Sequence, residues 1–64
     1  MHMVLIRDIA HNAITTGSLS LANEQKLRLM LKQKYEQEDL EAFMNLQQAV
    51  ILGKVKQQSR QIAS

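Results

Sequence analysis

A chain of 64 residues supports one domain, close to the size below which a single core needs a metal, a disulfide or a partner to stay folded. It has no cysteine, which excludes disulfides and thiolate metal sites, and its formal net charge of +2 is too small to define a polyanion-binding protein by charge alone. The longest apolar runs, Met3 to Ile6 and Ala49 to Leu52, fall far short of the roughly 20 residues a membrane-spanning helix needs.

The chain has no proline and only two glycines, Gly17 and Gly53, so helices are expected to dominate and to stop at those two positions. The first is expected over Met3 to Thr16, with Met3, Ile6, Ile9, Ala10, Ala13 and Ile14 on one face and Asp8, His11, Asn12 and Thr15 on the other. Its β-branched residues lower helix propensity, so an extended start over Met3 to Ile6 is the alternative. Gly17 supplies a left-handed C-terminal residue. Ser20 is a good N-cap for a second helix running to about Lys34, with Leu27, Met30 and Leu31 on its apolar face and Leu29 standing off it. A short turn around Tyr35 follows.

Glu36 to Gly53 reads as a central helix that is apolar over more than half its circumference. Leu40, Phe43, Met44, Gln47, Val50 and Ile51 form one stripe, and Ala42, Leu46 and Ala49 form a second beside it. The first stripe is expected to face the other two helices. The second is then left over, and its small residues suit close approach of a second copy, so Ala42, Leu46, Ala49 and the amide of Gln47 are the expected dimer interface. The fold class is thus all-α: a small three-helix domain over residues 1–53, arranged as helix, glycine turn, helix, short turn and long central helix, completed by homodimerisation. Residues 54–64 form a basic C-terminal extension, partly helical or disordered, whose large apolar groups are Val55 and Ile62.

The order TTGSLS, E..LR.ML..KY, EDLEAF, LQQA and GKVKQQSR resembles a group of short cyanobacterial helical proteins. The likeness runs from about Thr15 to Arg60. It implies a standalone bacterial polypeptide with a helical fold and implies no activity.

Chemistry is sparse. The histidines are His2 and His11, with no HExxH pair, and Glu38, Asp39 and Glu41 spread around the helix rather than converging, so neither a metal site nor paired acid and base work is expected. There is no glycine-rich phosphate loop, and no cofactor is expected. Charge runs in blocks: Arg7, Lys26, Arg28, Lys32 and Lys34 against only Asp8 and Glu24, then the acids Glu36, Glu38, Asp39 and Glu41 without a base, then Lys54, Lys56 and Arg60 without an acid. The reading is a non-enzymatic, cytoplasmic helical interaction module, a homo-oligomeric adaptor or regulator that docks on a larger protein and has no contact with a membrane. The alternative is a weak nucleic-acid-binding regulator that sets Lys54, Lys56 and Arg60 on phosphates. A helix-turn-helix version of that alternative would place an acidic helix end against the bases of DNA, which argues against it.

Overall fold

The computed structural model describes residues 4–59 of the chain. Three helices make up most of it: α1 (Ile6–Thr16), α2 (Leu21–Met30) and α3 (Gln37–Ile51), with two short strands, β1 (Ser18–Leu19) and β2 (Lys56–Gln57). Met3, which the sequence reading placed in the first helix, and Arg60 and Ile62 of the extension lie outside the described residues.

Leu5 is extended and its amide donates to the Asp8 carboxylate at 2.9 Å, which fixes the entry into α1. At the other end Gly17 adopts φ 77° and its amide donates to the Ala13 carbonyl at 2.8 Å, the left-handed stop expected there. Ile6, Ile9, Ala10 and Ala13 are buried, whereas Ile14 is exposed. α2 begins as expected, with the Ser20 hydroxyl accepting from the Asn23 amide at 3.1 Å. It ends at Met30, earlier than the expected Lys34: Lys32, Gln33 and Lys34 are all exposed, so another helical turn would have gained no burial.

α3 packs chiefly on α1, and here the structure corrects the sequence reading. Leu46 is 0% exposed, Ala49 and Val50 are buried, and Ala42 and Phe43 pack partly against the same core. Met44 is 60% exposed and Ile51 79%, although both belong to the stripe expected inside. The helix is turned so that the Ala42, Leu46 and Ala49 side meets α1. The reason is fit: α1 offers Ala10 and Ala13 at its centre, and small residues on both helices let the backbones approach closely, which bulkier Met44 and Ile51 would prevent. Leu46 and Ala49 are therefore spent in the protomer's own core and are not available as the dimer interface drawn from the sequence.

The chain beyond Gly53 also differs from the expected extension. Gly53 takes φ 80°, and the Lys54 amide donates to the Ala49 carbonyl at 2.8 Å, turning the chain back toward the end of α1. There β2 pairs in parallel with β1, Ser18 opposite Lys56 and Leu19 opposite Gln57. Val55 is 2% exposed and Leu19 1%. The Gln58 side-chain oxygen accepts from the Leu21 amide at 2.7 Å, and the Gln57 amide group donates to Glu24 at 3.0 Å. The core thus continues past residue 53, and no structural boundary falls between 53 and 54.

Candidate functional site

The one buried charged residue among those described is Asp39, in the first turn of α3. It lies seven residues before Leu46, two helical turns along the same face, so a helix that buries Leu46 also carries Asp39 against α1. Arg7 meets it there. One Asp39 oxygen accepts from the Arg7 Nε at 3.0 Å and from the Arg7 backbone amide at 3.2 Å, while the other accepts from the Glu36 amide at 3.2 Å. The two terminal guanidinium nitrogens reach Glu36 and Glu38.

Burial pushes the Asp39 carboxyl up, but the Glu36 amide and the Arg7 guanidinium and amide together outweigh it and hold the group below its ordinary value of 3.8. Asp39, Glu36 and Glu38 each engage Arg7, so the cluster clasps the start of α1 to the start of α3. Glu36 and Glu38 lie mostly in water and add little. A carboxyl with a depressed folded-state pKa stabilises the fold fully above its ordinary value, and that stabilisation drains away as the pH falls through the folded value. Acid titration of stability should therefore be steeper below pH 3.8 in the parent than in Asp39→Asn, with equal slopes at neutral pH. Parallel acid limbs for the two proteins would show that Asp39 is not the group involved.

Two surfaces carry exposed or lining apolar groups of α3 among the described residues. A groove of about 400 Å³ opens between α2, α3 and the C-terminal segment, floored by Leu19, Leu27, Leu31 and Phe43 and rimmed by Glu24, Arg28, Gln47 and Gln57. Gln47, expected at the dimer interface, is half-buried on this rim, and Ala42 is half-buried on the opposite flank beside α1. The second surface is the outer side of α3. There Leu40 is half-buried, Met44 and Ile51 are exposed, and Leu52 follows at 63% exposure.

The expected phosphate contacts are brought together only in part. Lys54 and Lys56 are exposed on either side of Val55, with Lys56 in β2 beside Gly17, Ser18, Ser20 and Gln58. Arg60 lies outside the described residues. Arg28 is drawn to Glu24 at 3.7 Å. His11 is exposed on the outer side of α1, next to Asp8 and Thr15. Among the described residues no three histidines or carboxylates converge as a metal site would require, and no helix is long and apolar enough to cross a membrane. Comparison with protein-family models, with curated proteins and with solved structures finds no match to this chain.

Proposed function

We propose that this chain is a small, non-enzymatic, cytoplasmic interaction module: a homo-oligomeric adaptor or regulator that docks on a larger protein. The observation that carries the reading is the outer side of α3, where a helix already packed on one side keeps Met44 at 60% and Ile51 at 79% exposure. Large apolar groups aligned on one exposed helix face are a feature of surfaces that meet other proteins. The titratable groups fit the same reading, because the buried one is consumed by an interhelical clasp rather than turned toward a cleft. Nucleic acid is the weaker alternative, since Lys56 sits in a strand of the fold instead of on a free basic arm, and the acids of α3 would repel phosphate.

Capture of the tagged protein from its native lysate, with and without nuclease, tests this directly. A protein retained in stoichiometric amount and insensitive to nuclease and to moderate salt is the expected result. Capture that disappears on nuclease treatment would replace the reading with the nucleic-acid one.

A further inference from the structure

Along the outer side of α3 and its border with the groove, Leu40, Met44, Gln47 and Ile51 follow one another at steps of four, three and four residues. That is the d, a, d, a spacing of a coiled-coil seam, the arrangement that meets another helix along its length. The seam is distinct from the buried side. At about 100° per residue it lies more than a quarter turn from Leu46, the centre of the packing on α1. Three of the four most exposed large apolar side chains among the described residues, Ile51, Leu52 and Met44, belong to α3 and its C-cap.

Charge is distributed unevenly along this seam. Glu41 stands by its beginning and Lys54 just past its end, whereas Glu36 and Glu38 are taken up by Arg7 of α1 and Lys56 lies in β2 beside Gly17. Among the described residues neither Glu41 nor Lys54 makes an ion pair. A surface that is acidic at one end and basic at the other complements itself when turned through a two-fold axis across its middle. A parallel partner of the same kind would set acid on acid.

From this spacing and this charge order we infer that the seam is a self-association interface, in which α3 of two copies pair antiparallel about a two-fold axis between Met44 and Gln47. This deepens the proposed function and rests on it, replacing the Leu46 interface with one on the opposite flank of the helix. The layers follow from the spacing: Leu40 of one copy packs on Ile51 of the other, and Met44 on Gln47, twice each. Gln47 is the one polar member of the seam. Glu41 comes to the level of the turn that carries Lys54 of the second copy. A standard interface buries about 800 Å² per partner, about a sixth of the 5030 Å² this chain exposes. A single helix about 22 Å long covers only part of such an area, which places this dimer among the weak, concentration-dependent ones.

Sedimentation equilibrium from micromolar to millimolar concentration, with circular dichroism on the same samples, tests the interface. The parent should be a concentration-dependent dimer. Ile51→Glu should weaken the dimer roughly a hundredfold or more, because it sets a charge in an apolar layer twice per dimer, while the dilute protein keeps its helicity because Ile51 is exposed. Glu41→Lys and Lys54→Glu should each weaken association several-fold, and the double variant should recover it. A dimer unaffected by Ile51→Glu, or charge reversals that fail to rescue one another, would overturn the antiparallel seam. A parent that remains monomeric throughout yet still captures a protein from the lysate would overturn self-association and leave the docking role standing.

Discussion

Truncation after Gly53 should abolish the cooperative melt. The lost segment carries Val55, 2% exposed, whose burial is worth roughly 1.5 to 3 kcal/mol. It also carries the whole of β2 and the two glutamine side chains that hold the Leu21 amide and Glu24. A domain of this length has roughly 3 to 10 kcal/mol of total stability, so the truncated chain is left with little or none. Val55→Ser in the full-length chain separates packing from chain length: it removes most of the buried surface at this corner, sets a hydroxyl beside Leu19, and should reproduce much of the loss. If the truncated protein melted cooperatively within a few degrees of the parent, the segment after Gly53 would have to be dispensable to the core, contrary to the burial of Val55.

That segment shows where local sequence patterns stop being informative. Its β2 strand is two residues long and lies beside a β1 equally short, so neither offers the alternation that marks a strand. Their pairing is parallel and spans the whole of α2 and α3, and it depends on the αL turn at Gly53 sending the chain back to Gly17. At that approach a side chain on Gly17 would meet the Lys54 carbonyl at 3.5 Å, a contact that no reading of the first helix alone could foresee. By contrast, the helices and their caps were legible because each is decided within a few residues: the αL stop at Gly17, the Ser20 hydroxyl on the Asn23 amide, and the acids at the start of α3.

The rotation of α3 was ambiguous in the sequence for a different reason. A helix apolar on two adjacent stripes can bury either, and hydrophobicity favours the stripe with Phe43, Met44 and Ile51. Shape decides otherwise, through Ala10 and Ala13 on α1, and this is a property of the pair of helices rather than of either one. The Arg7 and Asp39 clasp follows from the same choice. Once Leu46 faces α1, an acid two turns earlier must be buried and needs a cation, and Arg7, next to Ile6 on the buried side of α1, supplies it. The carboxylates of α3 were visible as helix-end charges, but which of them is structural could be known only after the rotation. The coiled-coil spacing on the outer face was also present in the sequence, hidden because its members were assigned to the core.

Leu46→Ala should cost about 2 to 5 kcal/mol of unfolding free energy, the range for emptying a fully buried leucine site, and Met44→Ala measured on the dilute protein should cost about 0.5 kcal/mol or less, as exposed substitutions do. The two positions are two residues apart on one helix and their side chains are close in volume and hydrophobicity, so the difference between them reads the rotation of α3 and little else. Phe43→Ala should fall between them, because Phe43 is half-buried at the edge of the core and also floors the groove. Urea titration at micromolar concentration, low enough to keep association from contributing, gives all three values on one scale. Leu46 is 0% exposed within one protomer, so its loss should destabilise the chain at every concentration. An interface residue would instead show its cost only where the dimer is populated. A Met44→Ala penalty larger than that of Leu46→Ala would mean that α3 is turned by about half a turn from the orientation described, with the Met44 and Ile51 side against α1.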